Sequence, residues 1–172
     1  MRKTVLTALI AMSICTVKAQ EKKNLVKLSV GILNKVRIGY ERPIDNNFSY
    51  GGVINAYYGL YPGFKIEPFG RYYFGSESPE GLYSQLRVLY GNFNYTYASS
   101  LISESKSFSS TGGGLDLGYQ WISGKNKNIV VDASLGFQFM SKSSDVNAVD
   151  AIFYTTGPGA VFNPHLSIGY AF

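Results

Sequence analysis

From Asn24 onward, apolar and polar residues alternate at period two in short runs, the pattern of strands whose two faces meet different surroundings. The stretch Ala160 to Phe172 shows it best. Phe162, Pro164, Leu166, Ile168, Tyr170 and Phe172 share one face, and Asn163, His165, Ser167, Gly169 and Ala171 share the other. Seven further strands are predicted: Asn24 to Ile32, Val36 to Glu41, Phe48 to Leu60, Phe64 to Phe74, Leu82 to about Tyr97, about Thr111 to Ile122, and Ile129 to Met140. The turns between them carry Asn34, Pro43 to Asn47, Tyr61-Pro62-Gly63, Gly75 to Gly81 and Ser123 to Asn128. Pro68 falls inside a strand and reads as a bulge, because proline removes a ladder donor. Beyond Gly91 the alternation loses its phase, which suggests a second bulge. Ala98 to Ser110 reads as a loop or frayed strand ends, and Ser141 to Gly159 as the longest connection.

One face of these strands is aliphatic and aromatic, and the other is small, polar or charged. Eight such strands closed on themselves make an antiparallel up-and-down barrel with apolar residues towards lipid and polar ones within. The rival is a soluble lipocalin-like barrel with the faces reversed. A chain that reaches its final Phe172 without a polar tail favours the first arrangement. With both chain ends in the periplasm, odd-numbered connections lie outside the cell, which places 98–110 and 141–159 there.

The first residues change what the composition means. Met1 to Ala19 has Arg2 and Lys3, an apolar run from Val5 to Cys15 and the acceptable cleavage residues Val17-Lys18-Ala19 before Gln20, the layout of a cleaved secretory signal peptide. Residues 20–172 are then one domain. Ile14 before Cys15 is too bulky for a lipoprotein signal. Without the leader, thirteen basic residues face eleven acidic ones, so the formal charge falls from +5 to +2 and no nucleic-acid partner is implied. The single cysteine also leaves, and with it any disulfide. Aromatics make up 15% of the chain, yet mean hydropathy is −0.01, so apolar content is dispersed in short pieces.

The polar face carries the candidate chemistry. Lys27, Arg37, Lys65, Arg71 and Arg87 alternate inward with Glu41, Glu67, Asp116 and Asp132, joined by Gln85, Gln120, Gln138 and His165. Charges confined in a narrow lumen are costly unless paired, so the near balance implies a cross-strand network that fills the barrel. Arg71 and Glu67 lie four residues apart on one strand, about 13 Å; Arg71 is therefore expected to pair with Glu41, Asp116 or Asp132. His165 and Ser167 share a face, but a nucleophile needs a base in reach and an oriented third group, which spacing alone does not supply. One histidine and scattered carboxylates suggest no metal site, and no cofactor is expected. Gly112-Gly113-Gly114 lacks the Lys-Ser/Thr and helix of a phosphate loop.

Tyr40-Glu41-Arg42-Pro43, Arg71-Tyr72-Tyr73-Phe74, Pro79-Glu80-Gly81-Leu82-Tyr83, Gly118-Tyr119-Gln120-Trp121 and Asp132-Ala133-Ser134-Leu135-Gly136 resemble blocks of an uncharacterised family of small bacterial outer-membrane barrels. More loosely, the chain resembles the eight-stranded OmpA/OmpX-type barrels. The pair Tyr170 and Phe172 resembles the terminal signature by which such barrels are recognised for insertion. The resemblance implies outer-membrane lipids and the barrel-assembly machinery as partners and carries no activity; an OmpA-like peptidoglycan-binding domain is not expected within these residues. The functional expectation is a non-enzymatic outer-membrane protein with a plugged lumen, structural or meeting an extracellular protein or glycan through its loops. A small pore or ligand-binding transporter, and a lipid A-modifying hydrolase, are the alternatives.

Overall fold

The computed structural model describes residues 23–31, 35–75, 78–99, 102–124, 126–143 and 150–172. The expected signal peptide lies outside them. Eight strands form: β1 (Leu25–Gly31), β2 (Lys35–Pro43), β3 (Phe48–Tyr57), β4 (Gly63–Tyr73), β5 (Gly81–Ser99), β6 (Ile102–Ser123), β7 (Ile129–Lys142) and β8 (Phe162–Ala171). Each pairs antiparallel with the next, and β8 returns to β1 through Leu25↔Ala171 to Leu28↔Ile168, so the sheet is a closed barrel without a free edge. A short helix, α1 (Asp150–Thr155), interrupts the connection from β7 to β8.

The register fixes how far the strands slant. The row that starts at Leu28 passes through Ile38, Ile54, Ile66, Tyr90 and Thr111 to Ser141 of β7. Followed the other way, through Ile168, it reaches β7 at Val131, ten residues from Ser141. That offset is the barrel's shear. Eight strands with this stagger are tilted and leave an interior just wide enough for side chains to fill.

Outward positions in the middle of the barrel are aliphatic and open: Leu28, Ile38, Ile54, Leu86, Leu115, Leu117, Leu135, Leu166 and Ile168. Aromatic residues ring this belt at both ends. Phe48 and Tyr72, Tyr72 and Phe74, and Tyr119 and Trp121 touch at the end where the chain termini meet, and Phe64 with Tyr90 and Phe137 with Phe162 do so at the other. Such an apolar band between aromatic girdles is the lipid-facing surface of an outer-membrane-type barrel, and the soluble alternative with its faces reversed does not hold.

Three sequence expectations are corrected. Pro68 makes no bulge: the β4–β5 pairing lapses at residues 67 and 68 and resumes in unchanged register from Ile66↔Tyr90 to Phe69↔Arg87, with Pro68 pointing outward. No bulge follows Gly91 either, since β5 and β6 stay in register from Gly81↔Gln120 to Ser99↔Ile102. The phase looked lost because the faces exchange character there. Outward Asn92 and Asn94 are polar, and inward Phe93 and Tyr95 are aromatic. For the same reason 98–99 and 102–110 are neither loop nor frayed ends: β5 and β6 stay paired past the belt as far as Ser99↔Ile102.

Candidate functional site

Side chains at inward positions fill the barrel in three storeys. At the end where the termini meet, Leu25, Val130 and Ala171 pack with Ile122, and buried Tyr73 and Tyr83 lie 5.5 Å apart. The connection from β4 to β5 tucks Pro79 beneath them, where its carbonyl accepts a hydrogen bond from Gln120 Nε2.

The middle storey is ionic. Glu41 accepts from Lys27 Nζ at 2.6 Å, Arg71 Nη1 at 2.9 Å, Ser49 Oγ at 2.5 Å and Tyr73 Oη at 2.7 Å. Asp132 takes Lys27 at 2.7 Å, Arg71 Nη2 at 2.9 Å and Tyr83 Oη at 2.5 Å. Arg71 thus bridges two acids while its guanidinium lies 4.0 Å from the centre of the Tyr83 ring. A second group surrounds Arg87, which grips Asp116 with two bonds, Nε at 2.7 Å and Nη2 at 2.8 Å, and reaches Glu67 at 3.1 Å. Glu67 also holds Lys65 at 3.0 Å and Asn55 at 2.9 Å. Gln85 joins the groups, accepting from Arg71 at 2.5 Å and donating to Asp116 at 2.8 Å.

Two glycines make room for Asp116 and for Tyr83. A Cβ on Gly136, opposite Asp116, would stand 1.7 Å from its carboxylate oxygen, and one on Gly118 would stand 2.4 Å from the Tyr83 hydroxyl. No larger residue fits either place without displacing the group it faces.

The third storey is a lid. Tyr57, Tyr61, Phe93, Tyr95, Phe108 and Phe153 form one buried cluster across the far mouth, with Phe153 delivered by α1. Its ring meets Phe93 at 5.9 Å, Phe108 at 5.5 Å and Tyr61 at 5.7 Å, and Lys142 Nζ lies 5.6 Å above it. Gly159 passes so close beneath Phe153 that a Cβ there would meet the ring at 2.1 Å. Pro158 then offers its carbonyl downward to Gln138 Nε2 at 3.0 Å and Lys65 Nζ at 3.3 Å. Burial pushes the Tyr61 hydroxyl up to about 12, and neighbouring Tyr95 adds to the rise, so this ring stays neutral. A continuous polar column therefore runs from Pro158 through Gln138, Arg87, Asp116, Gln85, Arg71 and Gln120 to Pro79.

Of the residues singled out by sequence, Lys27, Arg37, Glu41, Lys65, Glu67, Arg71, Gln85, Arg87, Asp116, Gln120, Asp132 and Gln138 are buried inside, and His165 is partly buried beside Arg37. Of the acids named for Arg71, Glu41 and Asp132 are its partners, while Asp116 belongs to Arg87. Tyr170 and Phe172 point outward where the termini meet. Sequence reasoning passed over Lys35, Ser49, Asn55, Tyr73 and Tyr83, all buried inward. Period two counted from Arg37, Arg71 or Gln85 would have found Lys35, Tyr73 and Tyr83. The lid had no such signal. Among the described residues no group of three or more His, Cys, Asp or Glu is placed to hold a metal ion.

A family model described as "Protein of unknown function (DUF3575)" matches residues 4–149. No curated protein matches the chain. Among solved structures, the N-terminal β-barrel domain of Pseudomonas aeruginosa OprF is similar in fold, with a TM-score of 0.51 at 15% identity, over 87% of this chain and 96% of that one.

Proposed function

For this chain, which belongs to the DUF3575 family of proteins of unknown function, we propose the role of an integral outer-membrane barrel that does not conduct, serving as a structural or surface-interaction protein. The observation that carries this reading is the filled interior. Between lid and floor, every storey is occupied by interlocked side chains, and the void among Lys27, Arg37, Arg71, Asp132 and His165 is about 10 Å³, room for about one water. A pore selective for ions needs an open path lined by groups that bind and release them, and the lid and ionic storey oppose one. The outer-membrane location is supported by the apolar belt, its aromatic girdles and the likeness in fold to the OprF barrel domain. Outer-membrane lipids and the barrel-assembly machinery are then the partners of biogenesis.

An extracellular protein or glycan would meet the end that carries the β5–β6 hairpin and α1, where outward Asn92, Asn94, Ser107, Ser109 and Thr111 have left the apolar belt. Catalysis is not part of this reading. His165 and Ser167 face inward, and Arg37 Nη1 donates to His165 Nδ1 at 3.0 Å, which occupies the nitrogen that a general base would offer.

The test has two arms. Purified protein should shift in gel mobility on heating and sediment with outer membranes, and planar bilayers containing it should show no reproducible conductance steps. Steady unitary conductance would refute the plugged interior, whereas a water-soluble monomer obtained without detergent would refute the membrane barrel.

A further inference from the structure

The interior charges do not balance. Among the described residues six buried bases (Lys27, Lys35, Arg37, Lys65, Arg71 and Arg87) share four buried acids (Glu41, Glu67, Asp116 and Asp132). The poorest-served bases stand together on β2. Arg37 reaches Glu67 only at 3.9 Å, and that carboxylate already holds Lys65 and Arg87 at 3.0 and 3.1 Å. Lys35 has a neutral partner, Asn163 Oδ1, at 3.4 Å. Both face the same part of β8, since Asn163 and His165 are neighbours on its inner face.

The small void opens on that sector, lined by Lys27, Arg37, Arg71, Asp132, His165 and Ser167 among others. His165 belongs to that lining. A guanidinium can only donate, so the Arg37 bond to Nδ1 makes that nitrogen the acceptor and puts the ring hydrogen on Nε2. Nε2 is buried and has no hydrogen-bond partner. Asp132, the one acid at the void, is already neutralised by Lys27 and Arg71 and receives the Tyr83 hydroxyl. Surplus positive charge, a ring with an unpaired N–H and a cavity of about one water's size thus lie in one sector of the barrel.

We infer that this void is a site for a single monatomic anion of the halide class, held by the Arg37 guanidinium and His165 Nε2–H. Size excludes phosphate, carboxylates and sugar acids. Water would satisfy Nε2 but leave the charge surplus untouched, and its own two hydrogens would compete for Asp132 and Ser167. A halide accepts from every donor and offsets a buried cation that is otherwise expensive to keep.

The test compares anions at equal ionic strength. The protein, folded in zwitterionic detergent micelles, is unfolded with urea in sodium chloride, sodium bromide and sodium gluconate. A halide bound only by the folded state should raise the folded-to-unfolded ratio saturably, by about elevenfold at ten times its Kd, and gluconate should not. Arg37→Met and His165→Phe should each erase the difference between halide and gluconate, whatever their own stability. Equal unfolding midpoints in the three salts would overturn the site, as would a halide effect that survives both substitutions. Crystals grown in bromide give a direct reading: an anomalous peak between Arg37 and His165 supports the assignment, and a void holding water alone refutes it.

Discussion

Glu41 and Asp132 share two cations, Lys27 and Arg71, and each acid takes at least one tyrosine hydroxyl besides. Buried as these side chains are, such a set is stable only while complete, because each charge was stripped of solvent in exchange for its partners. Arg71→Met removes one cation from both acids and leaves Lys27 to serve two carboxylates. We expect a loss of about 3–5 kcal/mol, read from reversible urea unfolding in lipid vesicles. Lys127 and Glu80 provide the contrast at 3.6 Å between the β6–β7 and β4–β5 connections, where Lys127 is largely exposed and Lys127→Ala should change stability by about 1 kcal/mol or less. Equal losses from the two substitutions would show that the interior is wet. At this scale the sequence was informative wherever alternation was long: once Arg71, Gln85 and Asp132 were placed inward, their burial followed. Lys35 was missed because the strand was expected to begin at Val36, one residue after the observed start of β2, although two steps back from Arg37 reach it.

The lid is an element-scale feature that periodicity could not announce. Six residues of α1 are too few to show a helical face, and isolated helices of that length are not stable in water. Its order comes from docking: Phe153 supplies the apolar contact, Gly159 the close approach, and Pro158 the polar tie to the column below. Phe153→Ala should therefore undock the lid and leave the barrel standing, at a cost of about 3–5 kcal/mol to the lid alone. Amide exchange at 150–161 should accelerate, while that of β2, β3 and β4 stays as it was. Gly159→Leu should reproduce the effect, since its side chain would occupy the volume of the Phe153 ring. Exchange unchanged in both variants would mean that the lid is held elsewhere. The same mouth explains the illegible end of β5. Its strands leave the apolar belt and enter an aromatic cap, so greasy residues turn inward and polar ones outward, and a reader expecting one constant rule sees only noise.

Across the whole molecule the decisive property is the inversion of an ordinary globule, with charge at the centre and hydrocarbon outside. The arrangement is favourable only if the belt meets lipid, and its limits can be located by substitution. Leu135 is outward, open and near the middle of β7, with Leu117 and Pro164 beside it on the neighbouring strands. Leu135→Arg places a cation in hydrocarbon, with an expected loss of about 2–4 kcal/mol near the bilayer midplane. Asn94 is outward and exposed as well, but lies on β5 beyond Tyr90, where the belt has ended. Asn94→Arg costs one exposed hydrogen bond with Ser107 and no lipid contact, so its change should stay within about 0.5 kcal/mol. Both are measured by reversible unfolding from vesicles, with heat-shifted gel mobility to verify insertion. A neutral Leu135→Arg in an inserted protein would mean that β7 does not face lipid at that height. A large loss at Asn94 would extend the belt up the β5–β6 hairpin and remove the polar surface available to an external partner.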